Sequence, residues 1–506
     1  MKLKAEEISN IIKEEIQKFD LSADMYEQGT VVSAGDGIVK IDGLSNCEYG
    51  EIIQFENGEN GLVLNLEEQL IGAIIIDNSK NIREGSIAKR TKSPAHVPVS
   101  DELLGRVVDP LGKPLDNRGQ IKYTQTRPIE NAAPGIINRK AITRPLQTGI
   151  IAIDSMIPIG KGQRELIIGD KQTGKTTIGI DTIINQKDKD VVCIYVAIGQ
   201  KASDISTTVD ILKRHDALKY TIVVAATASD SPAKQYIAPY SGCAIAEYFM
   251  YEKHKDVLIV YDDLSKHAIA YRTISLLLRR PPGREAYPGD IFYIHSRLLE
   301  RAGQLSDSLG GGSITAIPIV ETLDEDISSY IPTNIISITD GQIHLDTELF
   351  HSGHRPAVNA GLSVSRVGGA AQTEAMRKIA GSIRINLAQY RELEVFAQFG
   401  SELDKVTKGK IEEGEKLLEV LKQHKNSPLN IIDQVIILYV ALNKFLVDIP
   451  LDRVKEFNDR LIEYINMNKD VKNKLTDLED KDVDAFTEEI SNTILMYKRE
   501  SWDSHV

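Results

Sequence analysis

At 506 residues, with 42% hydrophobic and 26% charged side chains, the chain has room for about three domains at roughly 100–200 residues each. Its net charge of −13 argues against nonspecific nucleic-acid binding, which depends on Lys and Arg neutralising phosphates, but leaves room for one nucleotide in a locally positive pocket. Three scattered cysteines, Cys47, Cys193 and Cys243, form no C-x-x-C pair and no Cys/His cluster, so the expectation is buried thiols in a reducing compartment rather than zinc or disulfides.

In chain order, residues 1–26 open with Met1-Lys2-Leu3-Lys4 followed closely by Glu6 and Glu7, which leaves no apolar core for a signal peptide. Leu3, Ile8, Ile11, Ile12, Ile16 and Phe19 recur at helical spacing and predict a short amphipathic helix that needs a surface to lie on. Over 27–93, short β-rich runs (Thr30-Val31-Val32, Gly37-Ile38-Val39-Lys40-Ile41, Leu62-Val63-Leu64) alternate with Gly-Asp-Gly, Asp-Gly and Asn-Gly turns, the pattern of a small antiparallel β-barrel. Over 94–371, apolar runs of buried-strand type at 165–168, 191–198, 221–226 and 257–261 alternate with helical stretches, predicting a mostly parallel α/β sheet. Over 372–506, helix formers dominate and the only prolines are Pro428 and Pro450, predicting a helical domain with breaks near those two positions. Every long apolar stretch is interrupted by charge well short of the roughly 20 residues of a spanning helix, so membrane association is expected only through partners.

The run 165–168 leads into Gly169-Asp170-Lys171-Gln172-Thr173-Gly174-Lys175-Thr176, which fits G-x-x-x-x-G-K-[ST] between an apolar strand and a helix. Glycines let backbone N–H groups close around phosphate oxygens, and the helix N-terminus adds a positive dipole end. Lys175 is expected at the β/γ-phosphates, and the Thr176 hydroxyl on Mg²⁺. A phosphate loop also needs a carboxylate for the metal shell at a neighbouring strand end. The run 257–261 supplies it in Asp262, acting through water, with Asp263 holding local structure. Hydrolysis further needs a group that activates water. The run 191–198 ends in Gly199-Gln200-Lys201, and Gln200 is neutral and cannot accept a proton, although a glutamine orients water in some GTPases. The residues alone leave an inactive site and a slow, glutamine-assisted one open.

Five runs together resemble the alpha-subunit family of F-type (bacterial-type) ATP synthases. They are 169–176, Ala197-Ile198-Gly199-Gln200-Lys201, Tyr261-Asp262-Asp263-Leu264-Ser265-Lys266, residues 276–290 around Arg279-Arg280-Pro281-Pro282-Gly283-Arg284, and Ser363-Val364-Ser365-Arg366-Val367-Gly368-Gly369. The resemblance spans essentially the whole chain. It implies an N-terminal β-barrel, a central P-loop, RecA-like nucleotide-binding domain and a helical C-terminal domain. It implies ATP or ADP with Mg²⁺ bound but not turned over, because catalytic beta subunits carry a glutamate where Gln200 stands. It marks Arg366 as an arginine finger reaching into a neighbouring beta subunit's catalytic site, with Ser363 beside it as a second residue contributed in trans and Ser337 near that interface. Gln172 would lie beside the phosphates, and Arg355, Pro356 and Gln423 would line the adenine pocket. The implied partners are alternating beta subunits in a hexameric ring, a gamma rotor, and a delta or peripheral-stalk contact through residues 1–26. The implied location is the cytoplasmic face of the cell membrane, and the implied work is ATP synthesis or hydrolysis coupled to ion flow.

Three positions depart from that family's pattern. Lys171 replaces an arginine and loses the bidentate fork. Lys425 replaces a glutamine bordering adenine, and Glu413 stands where an arginine usually precedes the glycine. Two rival readings remain: a homohexameric P-loop motor such as a Rho-like helicase or an export ATPase, which would need its own catalytic carboxylate, and a stand-alone nucleotide sensor, in which Arg366 would have no site to complete.

Overall fold

The structure, a computed structural model, describes residues 27–77, 81–399, 404–479 and 481–502. The amphipathic helix anticipated within 1–26 lies outside the described residues. The chain divides between Ala95 and His96 into two compact units.

In the first unit, β1 (Gln28–Gly35), β2 (Ile38–Asp42), β3 (Glu51–Phe55), β4 (Asn60–Leu66), β5 (Leu70–Ile75) and β6 (Ile87–Pro94) close a barrel in the order β1-β2-β5-β4-β3-β6. β6 pairs back on β1, and every pairing is antiparallel. Alternation sends Val31, Val39, Ile41, Ile53, Val63 and Ala73 into a shared, buried interior. Asp36 and Gly37, at φ 52° and 80°, make the two-residue turn between β1 and β2, a left-handed pair whose twist suits an antiparallel hairpin. The buried Arg90 guanidinium is matched by Glu51 at 2.8 Å and Glu27 at 2.9 Å, which offsets the cost of removing that charge from water.

The second unit begins with two small antiparallel pairs, β7 (His96–Val99) with β9 (Gln125–Pro128), and β10 (Pro145–Leu146) with β11 (Ile159–Gly160). Its main sheet runs in the order β19-β18-β12-β17-β15-β13-β14-β8. The strands are β8 (Val107–Val108), β12 (Glu165–Gly169), β13 (Val191–Gln200), β14 (Thr221–Thr227), β15 (Asp256–Asp262), β17 (Ser313–Glu321), β18 (Gly341–Leu345) and β19 (Val364–Ser365). All pairings from β18 through β8 are parallel, β19 runs antiparallel on one edge, and β16 (Gly303–Gln304) pairs antiparallel with β17. Strands covered on both faces read as continuous apolar runs, which is why 165–168, 191–198, 221–226 and 257–261 stand out in the sequence. The sequence reading passes over β17 and β18. β17 carries Pro318 in mid-strand opposite Tyr261, a residue that ordinarily argues against a central strand, and β18 opens on Gly341-Gln342.

Helix Pro232–Tyr251 starts at Ser231, whose hydroxyl accepts from Lys234 N–H, with Pro232 in the first turn. It is buried continuously over 236–250. The C-terminal part is helical: Glu374–Ala380, Ile383–Phe399, Lys405–Val420, Ile431–Leu442, Val454–Met467, Lys469–Leu478 and Val483–Tyr497. The breaks fall where the prolines predict them, in the 421–430 loop that holds Pro428 and at Pro450 ahead of the turn Leu451–Arg453. Among the described residues no helix is long and apolar enough to cross a membrane. Cys47, Cys193 and Cys243 are free and buried, as expected of inert thiols, and burial pushes the Cys47 thiol up to about 12.

Candidate functional site

Because the central strands run parallel, their carboxyl ends share one edge. Gly169 of β12, Glu321 of β17, Asp262 of β15 and Gln200 of β13 follow one another along it. These four residues border or line a cavity of about 820 Å³, the size of a small-molecule site.

The phosphate loop bridges β12 and helix Lys175–Ile184. Gly169 is required where it stands, since a Cβ there would lie 2.8 Å from the Leu345 carbonyl oxygen. Gln172 and Gly174 take φ of 65° and 97°, turning the loop back on itself. Gly174 occupies the cap position, and no side chain caps the helix, so its first N–H groups stay available to an anion. Thr173 Oγ donates to the Asp170 carbonyl at 2.8 Å. The Asp170 carboxylate accepts from the Thr322 hydroxyl at 2.6 Å and from Glu325 N–H at 3.0 Å, tying the loop to the segment after β17. Lys175 is buried and donates to the Gly169 carbonyl at 2.8 Å and to that of Asp170. Burial lowers its pKa, opposed by the carboxylates of Glu321, Asp263, Asp262 and Asp170. Lys171 is exposed, with Nζ 4.0 Å from Glu321.

Asp262 is 2% exposed, and its carboxylate accepts three donors. Thr176 Oγ reaches Oδ2 at 2.7 Å, Tyr195 OH reaches Oδ2 at 2.8 Å, and Gln200 Nε2 reaches Oδ1 at 2.8 Å. A threonine hydroxyl and a carboxylate side by side are hard oxygen donors, which fit Mg²⁺ completed by water and phosphate oxygens. Among the described residues there is no group of three or more His, Cys, Asp or Glu that could hold a metal ion. Asp263 does hold local structure. It caps helix Leu264–Leu277 by accepting from Lys266 N–H at 2.7 Å and pairs with Lys266 Nζ at 2.7 Å, while burial pushes its carboxyl up to about 6.

The far end of the cavity is walled by Ile150, Phe350, Arg355, Pro356 and Gln423. The Arg355 guanidinium lies over the Phe350 ring at 4.2 Å. Gln423 lines the wall but spends its amide on the backbone. Nε2 donates to Gly149 O at 2.7 Å and Ser427 O at 2.8 Å, and Oε1 accepts from Ile151 N–H at 3.2 Å. Lys425 is on the rim with Lys422, His424 and Lys455.

Arg366 lies away from this cavity, directly after β19. Its N–H donates to Asp340 O at 2.9 Å, while its side chain is exposed and makes no hydrogen bond or ion pair with a described residue. Ser363, by contrast, is fully buried. Its hydroxyl donates to Asn359 O at 2.7 Å and accepts from His344 N–H at 2.9 Å, so it braces the turn ahead of Arg366. Ser337 is exposed near the end of helix Tyr330–Ile338 and bonds the Asn334 carbonyl at 2.7 Å. Sequence reasoning missed Tyr195 and Glu321. A tyrosine inside an apolar strand reads as core, and Glu321 ends a strand that Pro318 disguises.

Three family models match the chain: "ATP synthase alpha/beta family, beta-barrel domain" over 25–92, the nucleotide-binding domain of the same family over 149–365, and "ATP synthase alpha/beta chain, C terminal domain" over 372–497. Proteins named "ATP synthase subunit alpha" are similar over nearly the whole length. That of Acetivibrio thermocellus is 62% identical over 468 residues, covering 92% of each chain. That of Caldanaerobacter subterraneus subsp. tengcongensis is 57% identical over 500 residues, 98% of each. That of Clostridium botulinum is 58% identical over 466 residues, 92% of each.

Proposed function

The chain belongs to the ATP synthase alpha/beta family, and from that premise we propose that it is the regulatory nucleotide-binding subunit of a rotary ATP synthase. Its own site holds ATP or ADP with Mg²⁺ without turnover, and Arg366 completes the catalytic site of a neighbouring beta subunit. The alternating ring would turn about a gamma rotor, with residues 1–26 meeting the delta or peripheral-stalk side, at the cytoplasmic face of an ion-conducting membrane sector. The names of the relatives support the assembly, and the alpha-type runs quoted above support the division of labour.

One observation carries the reading of this chain's own site. The end of β13, where a water-activating base would stand, presents the Gln200 amide to the Asp262 carboxylate at 2.8 Å. An amide donor satisfies that carboxylate and cannot take a proton from water. Lys175 and the open N–H groups of its helix would hold the phosphates, and Thr176 and Asp262 the metal. Mg²⁺, when bound, supplies charge neutralisation between the phosphates. Phe350, Ile150 and Pro356 would pack on the base. Arg366 is exposed after β19 and does not line the cavity, which supports a role outside its own chain.

The second reading, a self-contained motor, is favoured by one feature only: Glu321 brings a carboxylate to the cavity between the phosphate loop and Asp262. The purified chain, free of beta subunit, separates the two. It is expected to bind Mg-ATP and release it unhydrolysed, with Lys175→Ala abolishing binding. Sustained turnover that Glu321→Gln removes would instead make the chain an ATPase in its own right.

A further inference from the structure

We propose that Tyr195 is a positioning residue that holds the metal-side carboxylate Asp262 in place, a role that rests on Asp262 being the magnesium-shell acid. Tyr195 lies on β13, 2% exposed, and its phenol donates to Asp262 Oδ2 at 2.8 Å across the parallel β13–β15 pair.

The three donors on Asp262 are not equivalent. Thr176 is itself a metal ligand by its place in the loop, and its hydroxyl can face the metal with an oxygen lone pair while its O–H still donates to Oδ2. Tyr195 on Oδ2 and Gln200 on Oδ1 are the two donors that are not themselves metal ligands, so they hold the carboxylate independently of the metal. A buried carboxylate that loses one of these donors is held less firmly, and outer-shell partners of this kind typically set metal affinity by about 10–100-fold. Gln200 is then more than an absent base: with Tyr195 it forms a pair of neutral donors, one on each oxygen. Phenylalanine at 195 would keep the ring in the strand and remove only the hydroxyl.

The test uses the full-length chain and ATP affinity by calorimetry, once with saturating Mg²⁺ and once in EDTA. In wild type, Mg²⁺ should tighten ATP, and Asp262→Ala should abolish that gain. Tyr195→Phe should lose about tenfold of the magnesium-dependent affinity while leaving the EDTA value unchanged. In the Asp262→Ala background Tyr195→Phe should have no further effect, as expected of a residue that acts through Asp262. A wild-type chain with no magnesium gain would overturn the reading of Asp262 itself. A gain that Asp262→Ala removes but Tyr195→Phe leaves within twofold would overturn the role of Tyr195. So would an equal loss with and without Mg²⁺, which would make Tyr195 a general packing residue.

Discussion

Asp181 shows how a single side chain of the nucleotide helix couples to conditions. It is 6% exposed on the inner side of helix Lys175–Ile184 and accepts one hydrogen bond, from Asn426 N–H at 2.8 Å. Burial, the dominant cause, pushes its carboxyl up to about 7. The folded chain therefore holds this proton more tightly than the unfolded chain, where aspartate titrates near about 3.9. The stability this brings is full below about pH 4 and is lost as pH rises through about 7. Asp181→Asn keeps an acceptor for Asn426 and removes the titration. It should flatten the fall in thermal midpoint between pH 4 and 7 and be the more stable form at pH 8, since each tenfold difference in proton affinity is worth about 1.4 kcal/mol. An unaltered pH slope would show that Asp181 is hydrated in the folded chain. At this scale the phosphate loop and Asp262 were legible because the loop is contiguous and Asp262 ends an apolar run. Tyr195 was not, because its role depends on a register between two strands, and Gln423 was legible in place but not in function, because its amide turns to the backbone.

Asp154 acts between elements. It lies on the short helix Ile151–Met156, 5% exposed, and its carboxylate accepts from Thr148 N–H at 2.8 Å, Thr148 Oγ at 2.7 Å, Gly149 N–H at 2.9 Å and Gln434 Nε2 at 2.9 Å. Gln434 belongs to helix Ile431–Leu442, so one carboxylate pins the helical part to the α/β part. Asp154→Ala would leave four buried donors unmet, each costing about 1–3 kcal/mol, and should lower the denaturation midpoint by several kcal/mol in free energy. Trp502, the only tryptophan, reports the event. It is 3% exposed, its ring edge to face with Phe457 at 5.0 Å and beneath Arg453 at 4.5 Å. Its fluorescence should shift to the red at lower denaturant in the variant, and an unchanged midpoint would mean the two parts are joined mainly by apolar packing. The helical part was readable in sequence because the breaks at Pro428 and Pro450 are local signals. β17 and β18 were not, since Pro318 and Gly341 are turn residues by local rules and only the packed sheet assigns them to its centre.

At the scale of the whole molecule, the chain builds a cavity on the strand-end edge alone, and Arg366, proposed above to act in trans, is exposed after β19 and makes no side-chain hydrogen bond or ion pair with a described residue. The departures from the family's pattern stay local. Glu413 pairs with Lys444 at 3.6 Å on an exposed surface, a contact worth about 0–1 kcal/mol, and Lys425 sits on the cavity rim. The decisive measurement is steady-state ATP hydrolysis by a complex reconstituted with beta and gamma subunits and carrying Arg366→Ala, with single-site ATP binding measured beside it. Binding and assembly should be retained while turnover falls by about 10³–10⁵, and Arg366→Lys should recover little of it, since an ammonium lacks the planar fork. Near-normal turnover in the alanine complex would contradict a role in trans and leave Arg366 an ordinary surface residue.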